Sequence, residues 1–410
     1  MSEVYIVGVG MTPLGKHTGK SVKELTAAAV QAALADAGCT AADIQAAWFC
    51  NTRQGIFEGQ HNVRGQVALR PAGIQGVPIF NTDNACASST AGLNLARAYV
   101  KAGAADVALV VGAEKMNFPE KRAEMFQAFK GSMDVELGET QLRQIGDLTR
   151  DMPLPEGIKE VERSIFMDSY SAHARYHMKC FGTTQRQLAH VAAKNHWNSQ
   201  FNPYAQYQTP MSVEEVLADK LIAWPLTRSM CAPMTDGAAA VILCSESALR
   251  RFERSRAIRI LACQITTGVP HSMDDKENNV GRIAAKRAYE EAGIGPGDLS
   301  VAEVHDASSF GELKQIENIG LCPVGESGPF TEQGHTRLDG KIPVNPSGGL
   351  LSKGHPVGAT GAIQMFELVT QLRGEAGRRQ VPNARLAAAE NGGGFYEGEE
   401  AIAATTILSR

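Results

Sequence analysis

One order of elements, strand, helix, glycine and strand, occurs twice in this chain, and the repetition limits the folds open to it more than any other feature. Residues 4–9 read as a strand, 21–37 as a helix, Gly38 as its stop and 46–50 as a second strand. The same order returns as a strand at 258–265, a helix at 280–292, Gly293 as its stop and a strand at 299–304. Ala37-Gly38 followed by Asp43-Ile44 matches Ala292-Gly293 followed by Asp298-Leu299 at one constant offset, the mark of an internal duplication. The later parts correspond as well. Asn81 and Cys86 precede a helix at 88–100 and a strand at 106–111, while Asn345 and His355 precede a helix at 362–373 and a strand at 385–389. Two α/β units packed about a pseudo-twofold axis would carry the Cys86 turn and the His355 loop to one shared site.

At 410 residues the chain has room for two such units and an insertion. The expected division is a first half at 1–116 and 226–248, an inserted loop domain at 117–225, and a second half at 249–410. The insertion is richer in charge, methionine and aromatic residues, which fits a cover over a site and a solvated decoration equally. A net charge of -4 gives no electrostatic reason to expect nucleic acid or an anionic membrane as partner. Neither a signal peptide at the N-terminus nor an apolar run of about 20 residues is seen, so a soluble cytoplasmic protein is expected. The 8 cysteines are scattered without a C-x-x-C pair or zinc spacing, so neither a disulfide framework nor a metal is expected.

Chemistry concentrates in a few stretches. Residues 77–80 read as a short buried strand, and Cys86 falls at the turn before a small-residue helix. There the helix amides favour a thiolate, and Ala85, Ala87, Ser88 and Ser89 leave room for an acyl group. A buried structural cysteine fits the position as well. Gly354-His355-Pro356 stands in a dense Gly/Pro loop that lets an imidazole approach closely, so His355 reads as a base for Cys86 or as a packed turn residue. His305-Asp306 follows a strand, where His305 can donate to a thioester oxygen or serve the framework. Glu390-Asn391-Gly392-Gly393-Gly394 reads as a second glycine loop, with Asn391 offering an amide. Ser352, Gly354 and Gly393 can offer a hydroxyl or backbone groups to a bound thioester.

Together, Asn84-Ala85-Cys86-Ala87-Ser88, Asp236-Gly237-Ala238-Ala239-Ala240, Asn345-Pro346-Ser347-Gly348-Gly349 and Gly354-His355-Pro356 resemble the thiolase superfamily, in the family's order and over nearly the whole chain. The resemblance implies an α/β thiolase fold: two duplicated halves in a five-layered αβαβα arrangement with an inserted loop domain. It also implies a homodimer or larger assembly, acyl-CoA substrates, and coenzyme A as co-substrate without a permanently bound cofactor. Cys86 would be the acylated nucleophile and His355 its activating base. Two departures stand out. Ordinary thiolases carry an acid/base cysteine where this chain has Asn391, and sterol-carrier-protein-type thiolases carry one where it has Ala307. The His-Asp pair still resembles the sterol-carrier-protein-type branch, with His305 at the oxyanion site. Some relatives, including benzoylsuccinyl-CoA-type thiolases, work with a small OB-fold, zinc-ribbon partner. Three readings follow: a thiolase-like acyltransferase acting through a Cys86 acyl-enzyme, a non-catalytic acyl-CoA-binding subunit, or a retro-aldolase acting on a CoA ester beside an OB-fold partner.

Overall fold

Strand β1 (Val4–Met11) already shows how the chain is layered, because its side chains divide between two cores. Val4, Ile6, Val9 and Met11 enter one and Val7 the other, with a register shift between Ile6 and Gly8. Eight more strands join it: β2 (Ala46–Cys50), β3 (Ile79–Thr82), β4 (Val107–Glu114), β5 (Gly237–Ser245), β6 (Ile258–Thr267), β7 (Val301–Glu303), β8 (Leu386–Gly393) and β9 (Ile402–Ser409). This computed structural model describes residues 3–152, 154–156, 158 and 165–410.

The strands stand in the order β3-β2-β4-β5-β1-β6-β9-β8-β7. Outward from β1 come β5, β4, β2 and β3; outward from β6 come β9, β8, β7 and then the lone parallel bridge Ala302↔Val344, where a counterpart of β3 would lie. The sequence duplication is therefore the symmetry of the sheet. Among the described residues, its two halves are joined through the strand pairs Tyr5↔Arg259 and Ile6↔Ile258.

Seven helices matter for the site: α1 (Val22–Ala37), α2 (Ser88–Lys101), α3 (Ile165–Phe181), α4 (Gln185–Ser199), α5 (Val280–Ala292), α6 (Ser309–Asn318) and α7 (Thr360–Arg373). One core gathers Leu93 of α2, Ile363 and Leu368 of α7, Val110 and Val241 of the first half, and Ile260 and Ala387 of the second. The central helices are thus clasped between the two half-sheets. Helix α1 covers the outer face of the first half, where Leu25 and Val30 meet Leu109 and Ile242, and α5 covers the outer face of the second. That makes five layers, α1, half-sheet, α2 with α7, half-sheet, α5, as the sequence led us to expect.

The constant offset has a local cause. Gly38 and Gly293 end α1 and α5 in the left-handed conformation, with φ of 67° and 70°. Beyond them Asp43 accepts the Thr40 amide at 2.9 Å and Asp298 the Gly295 amide at 2.8 Å, so each stop is followed by the same short turn. The central helices cross where a side chain has no room: a Cβ on Gly361 would lie 2.0 Å from Thr90 Oγ1. This close approach brings the start of α7 against the start of α2.

Three expectations need correction. The stretch at 77–80 yields β3, an edge strand whose Phe80 is 40% exposed, because none of the described residues pairs on its outer side. Residues Glu390 to Gly393 lie on β8, hydrogen-bonded along β9, so only Gly394 turns. The insertion is more than a solvated decoration, since Leu188 and Val191 of α4 pack with Leu313 and Ile316 of α6 in one core. Among the described residues, no helix is long and apolar enough to cross a membrane.

Candidate active site

Parallel strands β2, β3 and β4 in the first half, and β7 and β8 in the second, end at a common place, and residues just past those ends build a cavity of about 310 Å³. Arg53 follows β2, Cys86 follows β3, Met116 follows β4, His305 follows β7 and Gly394 follows β8. His355 enters from the loop before α7. The thiol of Cys86 and a ring nitrogen each of His305 and His355 all lie within 4.8 Å of one another. The juxtaposition expected from the duplication is realised.

Each member is set by its own turn. Ala85 takes a left-handed φ of 48°, a conformation a side chain resists by roughly 1–2 kcal/mol. The Ser88 hydroxyl secures it, accepting the Asn84 amide at 2.8 Å and donating to the Ala85 carbonyl at 2.6 Å. Behind the turn, the Asn391 side-chain amide donates to the Cys86 carbonyl and to Thr90 Oγ1, each at 3.0 Å. Asn391 thus holds the Cys86 backbone from strand β8, while its own Oδ1 has no partner among the described residues.

His355 is caged. Its amide donates to Thr235 Oγ1 at 3.0 Å, and its Nδ1 meets Thr360 Oγ1 at 2.8 Å. The Thr360 hydroxyl has one proton, directed at the Pro356 carbonyl 3.3 Å away, so it accepts from Nδ1–H and leaves the Nε2 lone pair as the free one. The tautomer is assigned from these bonds. His305 stands with its ring centroid 5.3 Å from that of His355, and among the described residues neither of its own ring nitrogens has a hydrogen-bond partner. Its amide donates to Glu390 Oε2 at 3.1 Å.

Burial governs the charges. Removal from water pushes the Cys86 thiol up to about 12, the nearby Arg53 charge offsetting only part of that. The sequence-based expectation of a thiolate favoured by helix amides is therefore corrected: desolvation outweighs them, and Cys86 sits before the N-cap Ala87, outside α2 proper. Burial likewise lowers His305 to about 4 and holds His355 well below its ordinary value, with the His305 charge next in importance. The resting pair is a neutral thiol beside a neutral imidazole. Glu390 is raised to about 8 by burial and then by the Glu400 charge. Glu400, on the cavity wall, stays below the ordinary range despite burial because Lys314 of α6 pairs with it at 2.6 Å. One thiol and two imidazoles also have the composition of a zinc site with an open position.

The remaining sequence-based candidates stand off the cavity wall. The Ser352 hydroxyl, fully buried, is engaged by Ser199 at 2.6 Å and by His196 Nδ1 at 3.0 Å, so it is not free for a thioester. Gly354, at a φ of 124°, has Thr235 where its Cβ would be, and a Cβ on Gly393 would lie 2.3 Å from the Asn84 carbonyl. Both let the Cys86 and His355 turns close up and neither lines the cavity. Arg53, Tyr170 and Glu400 do line it and were missed. Arg53 alone had a usable signal, its place just past the end of a parallel strand.

The thiolase N-terminal domain family matches residues 4–222, and the thiolase C-terminal domain-like family matches residues 264–410. The chain belongs to the thiolase family. Human sterol carrier protein 2 is 35% identical over 411 aligned residues, covering 95% of this chain and 70% of that protein. An acetyl-CoA acetyltransferase of Methanothermobacter thermautotrophicus is 34% identical, covering 96% of this chain and 97% of its own length. Benzoylsuccinyl-CoA thiolase subunit BbsB of Thauera aromatica is 33% identical, with 96% and 95% covered. A solved Ltp2-ChsH2(DUF35) aldolase superposes with a TM-score of 0.77 over 99% of this chain and 97% of that one; at 22% identity the likeness is of fold. Membership places this thiolase-family chain among acyltransferases.

Proposed function

We propose that this chain is a thiolase-type acyl-CoA acyltransferase working through a Cys86 acyl-enzyme, cleaving a 3-oxoacyl-CoA with CoA or running the reverse condensation. The observation that carries this reading is the meeting of the Cys86 thiol with His305 and His355 within 4.8 Å in a largely apolar cavity. In the cleavage direction, Cys86 Sγ attacks the 3-oxo carbon while its proton passes to His355 Nε2. The C2–C3 bond breaks, its electron pair moves to C2, and the enolate oxygen of the departing thioester takes a hydrogen bond from His305. The proton held by His355 reaches C2 by way of the adjacent His305 ring, the only other titratable nitrogen of the trio. CoA then gives its thiol proton to the same imidazole pair, its sulfur attacks the acyl carbon, and Cys86 Sγ leaves with the electron pair and recovers a proton. With Asn391 and Ala307 at the two places where relatives carry an acid/base cysteine, the histidines or a water held by Asn391 Oδ1 have to move the proton at C2.

Coenzyme A is a co-substrate in this scheme. Assembly as a homodimer or larger is proposed along the unpaired edge of β3, where Phe80 and, on α2, Leu95 stand 40% and 49% exposed. A small OB-fold, zinc-ribbon partner and a cytoplasmic setting complete the reading. Steady-state thiolysis of a panel of 3-oxoacyl-CoA esters, with co-purifying subunits retained, tests it. Turnover lost in Cys86→Ala supports the acyl-enzyme. Tight ester binding without turnover would favour a non-catalytic subunit, and full carbon–carbon cleavage by Cys86→Ala would favour a retro-aldolase.

A further inference from the structure

One proton in the acyl-enzyme cycle, the one at C2, lacks a carrier of its own. Each imidazole nitrogen bears either a proton or a lone pair, so the nitrogen of His305 that holds the enolate oxygen cannot also trade a proton with the neighbouring carbon. The two positions where relatives keep an acid/base cysteine offer no substitute. Ala307 presents a methyl group to the cavity, and Asn391 stands behind the Cys86 turn, off the cavity wall.

Among the described residues that line the catalytic cavity, Glu400 is the one carboxylate. It stands between β8 and β9, 7% exposed, and the neighbouring strand makes room for it: a Cβ on Gly392 would lie 2.6 Å from Glu400 Cγ. A buried carboxylate is costly unless partners hold its charge. Helix α6 supplies them, Lys314 Nζ donating to Oε2 at 2.6 Å and Gln315 Nε2 to Oε1 at 3.0 Å. Burial works against the charge, but the Lys314 pairing outweighs burial, so Glu400 stays ionised, the form that takes a proton. These bonds do not exhaust the roughly four acceptor positions of a carboxylate. After burial, the Glu400 charge is the leading influence on His305, so the two groups stand within electrostatic reach of each other.

Glu400 also has access to water from behind. It borders a second chamber of about 30 Å³, and Lys314 borders both that chamber and a third of about 90 Å³, reached by half-buried His271 and Lys276. A water needs roughly 10–15 Å³ of such space, so both chambers have room for one. A proton on Glu400 can therefore exchange with solvent without passing the substrate.

We propose that Glu400 is the acid/base of the C2 step, the carboxylate that does the work of the missing cysteine. In condensation Glu400 takes a proton from C2 of the incoming thioester, and the C–H electron pair moves onto the thioester oxygen under a hydrogen bond from His305. The enolate carbon then attacks the acyl carbon on Cys86. As Sγ leaves with its electron pair, the proton passes from Glu400 through His305 and His355 to the sulfur. Cleavage runs the same transfers backwards, with Glu400 the last carrier before C2. The inference rests on the acyl-enzyme reading of the site and supplies the carrier for one of its steps.

The test separates chemistry at C2 from chemistry at Cys86. Wild type and Glu400→Gln are incubated in deuterium oxide with acetyl-, propionyl- and butyryl-CoA, and two rates are followed by mass spectrometry of the recovered ester. One is exchange of the α protons; the other is exchange of isotope-labelled CoA into the ester, which needs Cys86 and His355 but no step at C2. Glu400→Gln should slow α-proton exchange by about 10²–10⁴-fold, the range for a general base, and change CoA exchange by no more than a few-fold. Equal losses in both rates, or α-proton exchange at the wild-type rate, overturn the proposal. Should that variant fail to fold, Glu400→Asp keeps the charge but draws it back from C2, and the same split between the two rates is expected; its absence overturns the proposal equally. A wild type that exchanges CoA through Cys86 but no α proton overturns it too and leaves the acyl-enzyme standing. One that does neither ends the acyltransferase reading, and this inference with it.

Discussion

The turn that carries Cys86 and the loop that carries His355 occupy equivalent places in the two halves, each just ahead of a buried central helix, yet they are built in opposite ways. Small residues and local hydrogen bonds make up the front turn: Ala85 strained, Ser88 clasping it, Asn391 gripping the Cys86 carbonyl from behind. Buried carboxylates bolt the rear loop at several points. Asp306 accepts the Leu350 and Leu351 amides at 2.7 and 3.3 Å, Glu303 the Ser347 hydroxyl at 2.7 Å, and Glu114 the Gly358 amide at 2.9 Å. In the proposed mechanism, a nucleophile that must accept an acyl group needs space around it, whereas a base that must meet it repeatedly at one distance needs a fixed frame. Duplication supplied two similar helix starts, and their surroundings made one roomy and the other rigid.

The contrast can be broken most severely at the sulfur. Cys86→Ala should lower turnover by at least ~10⁴-fold in steady-state thiolysis while leaving the melting temperature near that of the parent, because the site removed is an opening. His355→Asn comes next, at about 10²–10⁴-fold, the range for loss of a general base. In the frame, Asp306→Asn puts an amide group where Leu351 and Asn195 already donate. Both stability and rate should fall, by about 1–3 kcal/mol in chemical denaturation and roughly tenfold in kcat, because the loop carrying His355 loosens. Asn391→Ala should act more mildly, near 1 kcal/mol and a few-fold in rate, since one neutral bond to the Cys86 carbonyl is lost.

Acidity offers two gentler tests. With the thiol held near 12, alkylation of Cys86 by a neutral reagent should climb steadily through pH 9 without a plateau. His305 titrates near 4 when folded against an ordinary value of 6.5, so the unfolded chain takes up a proton first as pH falls. Its neutral burial therefore contributes stability that is intact above pH 6.5 and lost toward pH 4, and His305→Gln should flatten that limb of the melting-temperature profile.

Much of the fold was legible because duplication repeats local physics. The same left-handed glycine and the same aspartate-capped turn recur after α1 and α5, and such features depend only on neighbours in sequence. Cys86, His305 and His355 were legible for the same reason, as each ends a recognisable stretch. What escaped depends on contacts distant in sequence. Asn391 reads as part of a glycine loop until β9 pairs along it, and Ser352 reads as a hydroxyl on offer to a thioester until α4 engages it through Ser199 and His196. Glu400 is one acid among many until Lys314, distant in sequence, is seen to hold it at the cavity wall.

The account turns on a covalent bond at one sulfur. Wild-type protein mixed with a 3-oxoacyl-CoA, quenched in acid within milliseconds and mapped by peptide mass spectrometry should carry the acyl mass on the peptide containing Cys86, and adding CoA before the quench should discharge it. An enzyme that turns over under the same conditions with Cys86 unmodified at every time point would contradict it.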